Sequence, residues 1–105
     1  MQCQKGQGSA FVAVAPVLTE KFRFIRGEEC LKEFRASPSK RRVFCAECGS
    51  PLYSERDDLQ GIRRLRLGTL DTAVHPVRQY HAFVSQKISW YEIYDENEQH
   101  LRLPE

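Results

Sequence analysis

Apolar and charged residues alternate with a period of two in several short stretches, and this alternation limits the folds open to the chain. Residues 22–24 read Phe-Arg-Phe, residues 64–67 read Arg-Leu-Arg-Leu, and residues 80–84 are mostly aromatic or β-branched. A period of two is typical of strands, whereas helices need about 3.6 residues per repeat. Glycine, proline and aspartate lie between these runs and mark turns. The pattern predicts an all-β domain of short antiparallel strands; residues 28–34 fit a helical turn or a short strand equally well.

The length of 105 residues fits one domain, residues 1–105, with a polar surface tail over residues 95–105. A content of 41% hydrophobic and 29% charged residues is that of a folded globular protein. The net charge of +2 is too small to argue for a nucleic-acid partner. We interpret the basic groups at residues 40–42 and 63–66 as solvated strand faces or turns.

The longest apolar run, residues 10–18, is shorter than the ~20 residues that a membrane helix needs. It is also too short for a convincing signal peptide, and Pro16 would directly follow the cleavage site. We therefore predict a cytoplasmic protein with no membrane partner. In such a compartment the four cysteines are more typical of metal ligands or redox groups than of disulfides.

Cys45 and Cys48 are spaced as Cys-x-x-Cys and are followed at once by Gly49. Gly-Ser-Pro after the second cysteine is a poor start for the helix that a thioredoxin-type redox pair requires. It suits a hairpin instead, in which two thiolates of one turn bind zinc and glycine provides the turn. Zinc is the favoured interpretation, and a redox pair or two inert buried thiols are the alternatives.

A structural zinc site needs four ligands, and this hairpin provides two. The other candidates within the chain are Cys3, Cys30, His75, His81 and His100. None has ligand spacing to a partner. Cys30 lies in an apolar pattern and is predicted to be a buried structural thiol. Residue spacing alone therefore does not identify a complete set of four ligands.

Four phrases occur in order along the chain: QKGQGSAF after a cysteine, FCAECGSPLYSERDD, LRLGTLD and HAFVSQKISWYEIYD. Together they closely resemble the glutathione-dependent formaldehyde-activating enzyme family, whose zinc domains are related to centromere protein V. The resemblance covers Cys3 to about Asp95. It is far more specific than the Cys-x-x-Cys spacing by itself.

The resemblance implies a β-tent fold of short antiparallel sheets with two zinc sites. Cys45 and Cys48 match half of a structural four-thiolate site, and Cys3 matches the last ligand of an open three-thiolate site. The implied reaction is the addition of glutathione to formaldehyde, giving S-hydroxymethylglutathione, and is classed as a carbon–sulfur lyase activity for the reverse direction. Apart from the ligand Cys3, no catalytic residue is implied. Lys5 and Ser9 are expected at the pocket floor, where Lys5 is either a contact for a glutathione carboxylate or a solvated lysine.

The chain departs from the family pattern at its start, where the N-terminal strands and their cysteines are missing. We expect that Met1 is an internal methionine of a longer frame or that the chain is a fragment; a natural short form is the competing idea. Such a chain would have impaired activity and unpaired strand edges, so it would form a homodimer or be marginally stable. A non-enzymatic binding module stapled by zinc, with the basic groups as its contact surface, is the alternative function.

Overall fold

The computed structural model describes residues 2–73 and 78–102, and strands are its main regular structure. The strands are β1 (Val14–Leu18), β2 (Leu31–Ser37), β3 (Lys40–Cys45), β4 (Pro51–Arg56), β5 (Ile62–Arg66), β6 (Tyr80–His81) and β7 (Glu98–Gln99). A six-residue helix, α1, spans Gln2–Gln7, and four single-turn 3-10 helices connect strands. The prediction of an all-β fold is confirmed.

The chain divides into two compact units. One unit is Ala13–Ala73, and the other combines Met1–Val12 with Val74–Glu105. Among the described residues, no helix has both the length and the apolar character needed to cross a bilayer. That residues 1–105 form a single domain stays a prediction.

A five-stranded antiparallel sheet makes up most of the first unit. Its strand order is β1-β5-β4-β3-β2, so β1 and β2 are the outer strands. Residues 28–34 combine both predicted forms, because a 3-10 turn at Glu28–Cys30 leads directly into β2. The strand predicted from the alternation over residues 64–67 is found as β5, which ends at Arg66. The interpretation of residues 63–66 as solvated is wrong for Arg66, which is buried.

The apolar core of the sheet is centred on Tyr53, which faces two phenylalanine rings. Val43 and Tyr53 are only 3% and 6% exposed. The ring centroids of Phe22 and Phe24 lie 5.9 and 6.2 Å from that of Tyr53. The strand predicted from the Phe-Arg-Phe alternation is wrong, because both rings reach Tyr53 from an irregular segment.

Three charged residues form a cluster beside these rings, and we call it the Glu55 cluster: Arg41, Glu55 and Arg63. Arg41 lies opposite Glu55 on the neighbouring strand and pairs with one carboxylate oxygen. The Nε of Arg63 donates to the other oxygen at 2.6 Å, and its guanidinium carbon lies 4.7 Å from the Tyr53 ring centroid. Burial by itself would raise the pKa of Glu55, but the hydrogen bonds from both arginines outweigh it and the pKa is lowered. Two of the basic residues noted in the sequence are therefore held by this carboxylate.

The second unit contains α1 and the two shortest strands. The side-chain amide of Gln4 donates to the backbone oxygen of Gln86 at 2.9 Å, and the rings of Phe11 and Tyr91 pack with centroids 5.4 Å apart. β6 and β7 pair in parallel, so this short ladder differs from the antiparallel expectation. β7 lies within the segment predicted as a surface tail, and both of its residues are exposed.

Candidate metal centre

The Cys-x-x-Cys motif forms the turn between β3 and β4. Cys45 ends β3, and the backbone N–H of Gly49 donates to the oxygen of Cys45 at 2.8 Å. The N–H of Cys45 in turn donates to the oxygen of Ser50 at 2.9 Å, which closes the turn just before β4. The predicted hairpin is confirmed. A strand follows the second cysteine, so the turn has no helix N-terminus to stabilise a redox thiolate.

The two sulfurs of this turn are accessible. Cys45 is half-buried, Cys48 is exposed, and neither forms a disulfide. The sulfur of Cys48 lies 3.2 Å from the Ser50 hydroxyl. Hydrogen bonds from the hydroxyl and the backbone of Ser50, with a smaller one from Cys45, lower the pKa of the Cys48 thiol. This favours the thiolate, which is the form that binds a metal.

A third cysteine lies beside the turn. The N–H of Ala46 donates to the oxygen of Cys30 at 2.7 Å, and the Cys30 thiol donates to a carboxylate oxygen of Glu47 at 3.6 Å. Burial, followed by the charge of Glu47, raises the pKa of Cys30. The prediction of a buried Cys30 is wrong, because Cys30, like Cys45, is only half-buried.

All three cysteines line an open depression of about 450 Å³ on the first unit. Its other polar lining residues include Arg26, Ser50 and Thr69. Sequence reasoning missed these three. Ser50 was detectable as part of the turn, whereas only the folded sheet brings Arg26 and Thr69 beside it.

The donor set of the depression fits half of a zinc site. Cys45 and Cys48 offer two sulfurs from one tight turn, which is the chemistry and spacing of a zinc knuckle. Within residues 2–73 and 78–102, however, no three His, Cys, Asp or Glu side chains stand close enough to hold one ion. Cys30 thus lines the depression without completing a ligand set.

The other predicted site residues lie in the second unit. The backbone of Cys3 belongs to α1, and its side chain is outside the described part. Lys5 is exposed on the same helix, and Ser9 is exposed just after it. The N–H groups of Gly8 and Ser9 both donate to the oxygen of Gln4, at 2.8 and 3.3 Å, and so fix the end of this helix. Lys5 and Ser9 are therefore both accessible to a ligand.

The histidines give no additional donor cluster in the described residues. His75 is outside the described part. A ring nitrogen of His81 lies 2.9 Å from both carboxylate oxygens of Asp95, and one of His100 lies 3.1 Å from an oxygen of Glu98. Each of these two histidines therefore already has a carboxylate partner.

Replacing the glycine of the turn (Gly49→Ala) is expected to destabilise the first unit by about 1–2 kcal/mol. Gly49 has a φ of +80°, and an added Cβ would meet nothing within 4 Å, so the cost comes from the backbone conformation alone. Thermal unfolding followed by circular dichroism measures it. The matched control is Gly68→Ala, where φ lies outside the left-handed region and space is equally open. Equal unfolding midpoints for the two variants would contradict the prediction.

Comparison with curated proteins gives no match to the chain. A family model described as glutathione-dependent formaldehyde-activating enzyme matches residues 1–86. This range contains the complete five-stranded sheet and the cysteine turn, together with α1. The chain belongs to the family of glutathione-dependent formaldehyde-activating enzymes.

Proposed function

We propose that the chain is a zinc protein of the carbon–sulfur lyase type, acting in the addition of glutathione to formaldehyde. The family match over residues 1–86 carries this proposal. The accessible sulfurs of Cys45 and Cys48 support it, because the described hairpin offers a metal two soft ligands from one turn.

The family pattern would give zinc two separate roles in this chain. Cys45 and Cys48 would hold a structural ion that fixes the β3–β4 turn. Cys3 would be one ligand of a catalytic-type site. An ion with an open coordination position lowers the pKa of a bound thiol or polarises an aldehyde oxygen.

The reaction itself needs little from protein side chains besides binding and orientation. The glutathione sulfur forms a bond to the formaldehyde carbon, the electron pair of the C=O double bond moves to oxygen, and the thiol proton ends on that oxygen. The ammonium of Lys5 would bind a carboxylate of glutathione, and this role is supported by its exposure on α1, two residues after Cys3. The Ser9 hydroxyl offers a further hydrogen bond to the same substrate. Holding two reactants together in this way raises the rate over the spontaneous reaction.

We also propose a reducing, cytoplasmic location. This location suits the proposed zinc ligation, because Cys45 and Cys48 bind a metal only as reduced thiols. Such thiols persist where glutathione keeps cysteines reduced.

The test measures the rate of S-hydroxymethylglutathione formation above the spontaneous rate, with and without zinc. Residues 1–105 contain only Cys3 of the three thiolates that the family pattern expects in the open site, so the 105-residue polypeptide should add little to the spontaneous rate. A chimera that adds a family N-terminal segment with the other cysteines should be zinc-dependent and active. Cys3→Ser in the chimera should abolish that activity.

Two outcomes would count against separate parts of this proposal. A chimera that binds zinc and yet gives no acceleration would refute the proposed reaction. Zinc-dependent turnover by the 105-residue polypeptide alone would instead refute the expected impairment. The assay should compare glutathione plus formaldehyde with a related thiol adduct as substrates.

A further inference from the structure

The two outer strands of the sheet present different backbone edges. At β1, the N–H of Leu67 donates to the oxygen of Ala13 and that of Thr19 donates to the oxygen of Gly61. Because antiparallel pairing alternates, the odd-numbered residues of β1 bond to β5, and Pro16 faces outward. Proline has no N–H, so this edge lacks a donor at its centre.

The edge of β2 keeps its donors. The hydrogen bond from Ala46 to Cys30 continues the β2–β3 ladder, so even-numbered residues of β2 bond to β3 up to a register shift between Arg35 and Ser37. The backbone groups of Glu33 and Arg35 consequently point away from β3. No strand within the described residues pairs with β2 on that side. β2 contains no proline.

The exposed side chains of this edge are complementary to themselves. Glu33, Phe34 and Arg35 are all exposed, and Phe34 is 56% exposed despite being apolar. When two copies of β2 pair antiparallel with Phe34 at the centre, Glu33 of each copy lies opposite Arg35 of the other. The two phenylalanines then lie opposite one another. Opposite charges and aromatic pairs at such positions stabilise a sheet.

Charge pairing favours this register of the two β2 strands over the neighbouring registers. Up to Arg35, before the register shift of β2, the outward-facing residues are odd-numbered, so hydrogen-bonded registers differ by steps of two. A step in one direction places Glu33 opposite Glu33 of the second copy, and a step in the other places Arg35 opposite Arg35. Like charges directly opposite one another destabilise a strand pair. The register centred on Phe34 is the one in which both charges are matched.

We propose that β2 is a self-association edge, through which two copies of this chain form one continuous antiparallel sheet. The side chains remain available for this role. Glu33 is 58% exposed and stands 3.9 Å from Arg41, and Arg35 is 49% exposed with Asp57 at 2.8 Å. The five N–H donors of the Arg35 guanidinium suffice for Asp57, the backbone oxygen of Pro38 and a second carboxylate. A single strand pair is a small interface, so the dimer is weak and depends on concentration.

The experiment uses analytical ultracentrifugation of the 105-residue polypeptide over a concentration series under reducing conditions. The wild-type mass should rise with concentration from 12.2 kDa towards twice that value and stop there. Glu33→Arg alone and Arg35→Glu alone each create two like-charge pairs, so each variant should stay monomeric. An equimolar mixture of the two restores both opposite-charge pairs and should sediment as a dimer. Circular dichroism of each variant verifies its fold.

A crosslinking experiment tests the pairing of two β2 strands even if a charge variant unfolds. Phe34→Cys should form a disulfide between the two substituted positions on mild oxidation, identified by peptide mapping. Leu18→Cys, at an exposed position on the β1 edge, is the matched control and should crosslink far less. Any of four results would overturn the proposal. In sedimentation these are a wild type that stays monomeric, single variants that dimerise as wild type does, or a mixture that stays monomeric. In crosslinking it is an equal yield at both edges.

Discussion

Glu55→Gln is expected to lower the free energy of unfolding by about 2 kcal/mol, which corresponds to a drop of about 10 °C in the thermal midpoint. The carboxylate is 15% exposed and joins Arg41 to Arg63, whose guanidinium also rests against Tyr53. Removing its charge leaves two like-charged side chains together, in a place where water cannot fully solvate them. The Arg41 side chain is about one-third exposed, so the expected loss of unfolding free energy is smaller than for a fully buried ion pair. Thermal unfolding at neutral pH measures the effect.

Acid provides an independent check on the Glu55 cluster. The pKa of Glu55 is lowered from its usual 4.5 in the folded chain, so the unfolded state takes up its proton first as pH falls. The stabilisation is therefore complete above pH 4.5 and is lost as pH falls through the lowered pKa. The difference in unfolding free energy between wild type and Glu55→Gln should therefore become smaller as pH falls below 4.5.

The matched control for the Glu55 cluster is Asp58→Asn. Asp58 also pairs with an arginine, Arg56, but this pair is exposed to solvent. The substitution should leave the midpoint nearly unchanged at neutral pH. If Glu55→Gln and Asp58→Asn lower the thermal midpoint by the same amount, the Glu55 cluster stabilises the fold no more than a surface ion pair does.

In the chimera with the family N-terminal segment, Cys45→Ser is expected to weaken zinc binding roughly 100-fold or more, because each thiolate carries a large share of the binding free energy of a structural site. Cys48→Ser should do the same. Elemental analysis after passage through a dilute chelator gives the number of ions retained per chain. Absorption of the cobalt-substituted protein, which reports bonds between the metal and sulfur, gives a second readout that does not depend on activity.

Cys30→Ser is the matched control for the two cysteines of the turn. Cys30 lines the same depression, yet its thiol donates to Glu47, and serine preserves a donor for that bond. Zinc retention should therefore be the same as in the unsubstituted chimera. Retention that falls equally in Cys30→Ser and Cys45→Ser would show that the ligand set differs from the one proposed.

The hairpin around the cysteines was predictable because Gly49, Ser50 and Pro51 exclude a helix and favour a turn. The alternation over residues 64–67 was likewise predictive of a strand, because side chains of a strand point alternately to its two faces. It did not predict that the charged Arg66 would be buried. The same alternation failed at Phe22 and Phe24. There it reflects two rings that pack on one tyrosine, which needs no strand partner.

The candidate site was only partly predictable for a related reason. Adjacent residues of a turn can be recognised from their spacing, as Cys45 and Cys48 were. Arg26 and Thr69 reach the depression through the fold of the chain, which leaves no local pattern. Cys30 was misjudged because Leu31 and Phe34 suggested an apolar core, whereas Phe34 itself lies on the open edge of the sheet. Helix α1 had no clear pattern either, because glycine interrupts its six residues.

Pro16 has a consequence for how many copies of this chain can join edge to edge. A sheet with two receptive edges adds copies without limit and grows into a filament, as sheets do in fibrils. The missing donor at the outward face of β1 blocks one of those edges. The proposed association through β2 would use the same surface on both copies and leave the two blocked β1 edges at the ends of the joined sheet. Growth of that sheet would therefore terminate at a closed, twofold-symmetric pair.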